Sequence, residues 1–223
     1  DPDSPIETLT TDESGQTPEI NLKAPPRELS LTPDITEQPY SEYNIQVTAE
    51  GFETVLVSGS EILAGAYSLQ PIRMNPLDVT EEEEKVVVIP PHTLFGEYPP
   101  KIPEEEIKPM NETGEIVLSR VVIPEYVIVH DGDPEDPTAR NYWVRYKDYI
   151  KNVASSEIYP TWSESAIYAN ILVIQSFTLN RVFTEWYRGK GYDFTITSST
   201  AYDQKWIYGR NVFEEIDYLV DSI

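Results

Sequence analysis

The chain has 223 residues with 39 acidic and 16 basic side chains, a formal charge of −23, which argues against direct nucleic-acid binding and against adhesion to an anionic membrane. No apolar run approaches the roughly 20 residues a membrane span needs. The absence of cysteine excludes disulfides, thiolate zinc sites and a cysteine nucleophile, while 15 Tyr, 4 Trp and 6 Phe can build a core at a hydrophobic content of 39%.

The opening Asp1-Pro2-Asp3-Ser4-Pro5 is not a signal peptide, so the chain reads as a fragment or as one whose start was removed. The first hundred residues hold 19 of the acids but only 4 of the bases, and most of the prolines. Between Asp1 and Gln38, apolar patches at Ile6–Leu9 and Ile20–Leu22 flank the turn signal Asp12-Glu13-Ser14-Gly15, which predicts two short strands joined by that turn. Tyr43, Ile45 and Val47 alternate with polar residues, the period of a half-buried strand. Glu50-Gly51 turns the chain, Phe52–Val57 reads as the next strand and Ser58-Gly59-Ser60 as another turn. Alternation returns from Tyr67 to Met74 and stops at Pro76. Short strands at this spacing argue a small β-sandwich.

Residues 77–115 read as an acidic, Pro-rich connector. Glu81–Glu84 and Glu104–Glu106 are solvated charge runs, Val86–Ile89 is an isolated strand, and Pro90–Pro103 is extended. From Ile116 to Val129 the pattern is β again, broken by Pro124. Asp131–Pro137 is an acidic loop without the ligand spacing of a calcium loop.

The remainder reads as helical. Tyr149, Ile150, Val153, Ala154 and Ile158 form one stripe of a helix over 147–158, ended by Tyr159-Pro160. Thr161-Trp162-Ser163-Glu164 has the form of a capping box with Thr161 as cap. The helix it opens extends to about Arg188, with Gly189 and Gly191 at its C-cap, and is apolar nearly all round, which predicts a buried central helix. A last helix runs from Ile207 or Val212 to Val220.

Glu157, at a helix end beside aromatic residues, is the residue that chemistry singles out. Desolvation there raises a carboxyl pKa toward what a general acid needs; the alternative is a cap or an ion-pair partner. The hydroxyls, amide and aromatics of 197–206 can line a sugar groove, with Tyr187, Arg188 and Tyr192 adding to its wall, or can form a plain polar loop. His92 and His130 read as structural. Neither a phosphate-binding Gly-rich loop nor a Gly-x-Ser-x-Gly elbow is present.

The stretch Asp148–Trp162, with Val153-Ala154-Ser155-Ser156-Glu157 before Tyr159-Pro160, resembles the signature of the stage II sporulation protein D (SpoIID) family. In that family, Val-Ala-(Ala/Ser)-Glu-Met-Pro precedes a helix whose start corresponds to Ser163–Asn170 here. Ser198–Trp206 resembles the later Asp-Thr-Thr-x-x-x-Gln-x-Tyr stretch. Ile123-Pro124-Glu125, Asn180-Arg181, Thr184–Arg188 and Gly191–Phe194 are similar to the spore cortex-lytic (SleC-type) branch. The resemblance covers roughly residues 116–223. Residues 1–76 resemble part of a carboxypeptidase-regulatory-like (transthyretin-like) sandwich that begins in mid-domain.

The resemblance implies an α+β chain: a partial sandwich over 1–76, a connector over 77–115 and a mostly helical catalytic core over 116–223, truncated at its C-terminus. It implies a peptidoglycan lytic transglycosylase of the spore cortex or cell wall, acting outside the cytoplasm, with Glu157 as general acid and base. Thr200, Tyr202, Gln204, Trp206, Tyr159 and Trp162 would hold the sugars. Ser, Ala and Tyr replace the Cys and His that bind zinc in some members, so no metal or other cofactor is expected. The expected partner is the glycan strand, with an activating protease or spore-coat proteins as further partners. The rival expectations are a non-catalytic wall or spore-surface protein of the same fold, and a proteolytic fragment.

Overall fold

The computed structural model describes residues 4–77, 84–103 and 118–223. Most of the Glu81–Glu84 run, all of Glu104–Glu106 and the start of the Ile116 segment lie outside them. The chain is a mixed α and β structure with small sheets.

The first sheet has the order β1-β2-β4, with β1 at Ser41–Val47, β2 at Thr54–Ile62 and β4 at Glu84–Val88. β1 and β2 pair antiparallel, and β4 joins β2 in parallel. Val86–Val88 is therefore not an isolated strand but part of a strand of the N-terminal sheet. Ser58-Gly59-Ser60 is not a turn but the middle of β2. Ser58 and Gly59 together oppose Asn44, so the pairing slips between Tyr43 and Ile45. Gly59 has φ +91°, and a Cβ placed on it would lie 2.5 Å from the Ile89 carbonyl oxygen. Glycine here makes a bulge, not a reversal. Gly51 does turn the chain, at φ +80°.

The Asp12 turn forms, with the Asp12 carboxylate accepting from the Ser14 and Gln16 amides at 2.8 and 3.0 Å. The two strands expected around it do not. Residues 27–31 form a 3-10 turn instead. Of the Tyr67–Met74 alternation only β3, Ser68–Leu69, is a strand, and it pairs with β8, Val212–Phe213, far along the chain. Among the described residues of the N-terminal part there is one three-stranded layer. Its buried Val55, Val57, Val87 and Ile89 pack on Ile207 rather than on a second sheet of its own.

The second half is built around a sheet of order β6-β5-β7: β5 is Tyr126–His130, β6 Asn141–Arg145 and β7 Ile196–Thr197. Three helices follow the pattern of apolar stripes: α1, Tyr146–Glu157; α2, Glu164–Phe183; and α3, Glu214–Ser222. α1 is the central one, with Tyr149, Ile150, Val153 and Ala154 fully buried. α2 is shorter than expected and lies at the periphery. It buries Ile167, Ile171 and Ile174 but leaves Val173 67% and Leu172 40% exposed. Its N-cap is Ser163, whose Oγ accepts from the Ala166 amide. Thr161 is instead drawn into the core by a 2.7 Å hydroxyl bond with Ser30.

The boundaries expected near residues 76 and 116 are crossed by the packing. Tyr40 and Leu63 belong to the same core cluster as Val127, Tyr149 and Ile216. Arg27 Nη2 donates to the Thr161 carbonyl, and Trp162 Nε1 donates to that of Ser30. A buried ion pair joins Glu61 of β2 to Arg210, N···O 2.5 Å. Among the described residues, no helix is long and apolar enough to cross a membrane.

Candidate active site

Glu157 is the last residue of α1. The following Ile158 is extended, as expected shortly before Pro160, which cannot continue the helix. Helix C-termini carry partial negative charge, so a carboxylate there is disfavoured. Burial adds to this and pushes the Glu157 carboxyl up to about 7, against the pull of the Lys205 amide and the more distant Lys101 charge. The hydrogen bond it accepts comes from the Lys205 backbone N–H to Oε1, at 2.7 Å. Among the described residues no ion pair neutralises it. Burial also lowers the Lys205 ammonium pKa.

The loop that carries Lys205 is held from three sides. The buried Asp203 carboxylate accepts from Arg181 Nε at 2.7 Å, the Tyr187 hydroxyl at 2.6 Å, and the Thr197 amide and hydroxyl at 2.9 and 2.7 Å. Asn152 of α1 exchanges two bonds with the Ile207 backbone, at 2.8 and 2.9 Å. Arg210 donates from Nε and Nη2 to the Ser155 carbonyl, two residues before Glu157. A further segment reaches the same end of α1: the amide and hydroxyl of Thr93 donate to the Ser156 carbonyl at 3.2 and 2.7 Å. The chain then runs on to the loop. Ile102 N donates to the Ala201 carbonyl, Lys101 Nζ to the Asp203 carbonyl, and the Thr200 hydroxyl to the Pro99 carbonyl.

No protein-family model, curated protein or solved structure matches this chain.

The residues singled out from the sequence fall into two groups. Glu157 and the 200–206 loop meet, through Lys205. Thr200 and Tyr202 are partly exposed on that loop. Gln204 is buried and fully engaged in the core: its Oε1 accepts from the Thr178 and Tyr149 hydroxyls, and its Nε2 donates to the Ile174 carbonyl. Trp206 is buried in an aromatic group with Tyr142 and Tyr208, ring centroids 5.3 and 6.3 Å away. Tyr159 packs on the fully buried His92, centroids 4.4 Å apart, and Trp162 meets Tyr159 edge-on. Both are thus tied to the N-terminal part. Tyr187 is spent on Asp203, Tyr192 bonds Glu135, and Arg188 lies 3.8 Å from Glu185. Among the described residues, no three His, Asp or Glu side chains are grouped to hold a metal ion.

Asp203, Asn152 and Arg210 organise the site without having been singled out by sequence. Each does so through a backbone partner more than five residues away, and such pairings leave no periodic signal. A cavity of about 380 Å³ lies between the first sheet and β6. It is lined by Trp206 and Tyr208, and not by Glu157.

Proposed function

We propose that the chain is a peptidoglycan lytic transglycosylase, with Glu157 as both acid and base. The observation that carries this reading is a single carboxyl held at about 7 at the end of α1, bonded through one oxygen to a backbone amide. At neutral pH a large fraction is protonated and able to donate. The proton passes from Glu157 to the glycosidic oxygen between N-acetylmuramic acid and N-acetylglucosamine as the C1–O bond breaks. The resulting carboxylate removes the proton of the muramic 6-hydroxyl, whose oxygen closes on C1 as a 1,6-anhydro ring. The nucleophile belongs to the substrate, so one carboxyl suffices where a hydrolase uses two. Lys205, through its amide, keeps Glu157 aimed; Thr200 and Tyr202, partly exposed on the same loop, would meet sugar hydroxyls.

On this reading residues 116–223 form a SpoIID-like core of the spore cortex-lytic kind, the N-terminal sheet is one layer of a carboxypeptidase-regulatory-like sandwich, and the protein works outside the cytoplasm on cortex or wall. A second reading is a glycan-binding protein of the same fold that does not cleave. The burial of Gln204 and Tyr159, and the Thr93–Ile102 segment laid from α1 to the loop, favour it.

The test is incubation of labelled cortex and vegetative peptidoglycan with the chain and with Glu157→Gln, followed by mass spectrometry. Anhydro-muramic ends from the parent and none from the variant support the enzyme. Reducing ends instead mean a hydrolase with a second carboxylate. No product with binding retained favours the binding protein.

A further inference from the structure

The first hundred residues carry four basic side chains, and two of them, Arg73 and Lys85, line the same 380 Å³ cavity. In a chain of charge −23 that is a local reversal of sign. The cavity's other wall is aromatic: Tyr142, Trp143, Trp206 and Tyr208. Tyr142 sits 5.3 Å from Trp206 and 5.0 Å from Tyr208, centroid to centroid, so three of the rings form one packed group. Trp143 follows Tyr142 on β6 and so alternates with it; its ring is 72% exposed and meets Tyr126 edge-on at 6.5 Å. Its volume falls in the range of small-ligand sites, about 300–1,000 Å³.

Lys85 Nζ is held on this wall by the Arg73 carbonyl oxygen, 3.5 Å away, and Arg73 is the less engaged of the two cations. Lys85 Nζ stands 3.9 Å from Glu53 Oε1, at the outer limit of an ion pair. That carboxylate is more closely bound by the Asn75 amide group, at 2.7 Å. Lys85 also lies 5.5 Å from the Tyr208 ring centroid. Arg73 is exposed and makes no ion pair among the described residues.

We propose that this groove binds an acidic sugar of a glycan strand: the ring's C–H face on the aromatic wall, its carboxylate on Arg73 and Lys85. The assignment rests on the glycan reading above and adds a second point of contact, separate from Glu157 and linked to it by the Lys205-Trp206 dipeptide. A proline-rich peptide also stacks on aromatic walls, but its backbone has no carboxylate to occupy two cations. The charge favours the acidic sugar.

The experiment uses the full chain in the Glu157→Gln background, so that the probe is not consumed. The probes are a tetrasaccharide of alternating N-acetylglucosamine and N-acetylmuramic acid and the neutral chitotetraose, titrated by calorimetry and tryptophan fluorescence. The acidic probe is expected to bind more tightly. Trp143→Ala is expected to weaken both by about tenfold, and Arg73→Gln to weaken the acidic probe alone by about tenfold. Both residues are exposed, so unchanged melting and circular dichroism check the fold. Equal binding of the two probes, equal loss of both in Arg73→Gln, or displacement by a decaproline peptide overturns the proposal. Charge-selective binding without anhydro products from the parent would remove the transglycosylase and keep this site. Anhydro products with undiminished affinity in Trp143→Ala would do the reverse.

Discussion

If burial holds the Glu157 carboxyl at about 7 rather than at its ordinary 4.5, its ionisation opposes folding. The folded state then binds the proton more tightly than the unfolded chain. Stability from this group is complete below pH 4.5 and is lost as the pH rises through 7. The rise from 4.5 to about 7 corresponds to about 3 kcal/mol once the group is ionised in both states. Glu157→Gln removes the charge but keeps an oxygen able to accept from the Lys205 amide. The variant and the parent should therefore match near pH 4.5–5, and the variant should be more stable by about 3 kcal/mol at pH 9. For a chain of this size that is a melting difference of about 6–12 °C. Urea or thermal unfolding of both proteins at pH 5, 7 and 9 measures it. Taking the difference between the two proteins cancels the other titrating groups, such as Glu61, whose carboxyl is also raised by burial. Stability curves that stay parallel from pH 5 to 9 would falsify the buried-acid argument, and the proposed proton donor with it.

Arg210→Met leaves Glu61 buried without its partner and removes both bonds to the Ser155 carbonyl; a loss of about 3–5 kcal/mol in urea unfolding is expected, with a smaller loss in the Glu61→Gln, Arg210→Met pair. A double-mutant loss no smaller than the single one would mean that the pair is not the source of the cost. Gly59→Ala puts a Cβ against the Ile89 carbonyl at φ +91° and should cost at least about 1–3 kcal/mol by backbone strain alone. An unchanged midpoint would show that β2 does not carry this bulge.

The elements legible in the sequence are those whose periodicity is enforced by one neighbour. β1 alternates because one of its faces is more covered than the other, and α1 shows an apolar stripe because Tyr149, Ile150, Val153 and Ala154 face the apolar core while Asn152, Ser155 and Ser156, also buried, are polar. The errors arise where the same letters serve another purpose. Ser-Gly-Ser is a turn signal by composition, yet Gly59 is needed only for its positive φ inside a strand. α2 is apolar all round, but its tertiary neighbours cover only the Ile167–Ile171–Ile174 side. Thr161 has the spacing of a cap, and loses that role to Ser163 because Ser30, 131 residues earlier, takes its hydroxyl. The position of Glu157 at a helix end beside Tyr159 and Pro160 is legible because all three signals are local. That of Gln204 is not, because nothing near it in sequence announces that Tyr149, Thr178 and Ile174 will use both ends of its amide.

These long-range pairings also explain how Glu157 keeps its place when no described residue forms an ion pair with it. A carboxyl raised toward neutrality has no strong charge partner to hold it, so its backbone must be held instead. The carbonyl of Ser155 is taken by Arg210 and that of Ser156 by Thr93. The facing loop is tied down by Asp203 and Asn152. Ser155 and Ser156 lie in the last turn of α1, where carbonyls lack partners within the helix, so the two bonds satisfy groups that would otherwise be orphaned and at the same time fix the helix end. A salt bridge to Glu157 itself would give comparable rigidity, but it would hold the carboxyl ionised and remove the proton. Fixing the backbone and leaving the side chain one amide bond reconciles position with protonation.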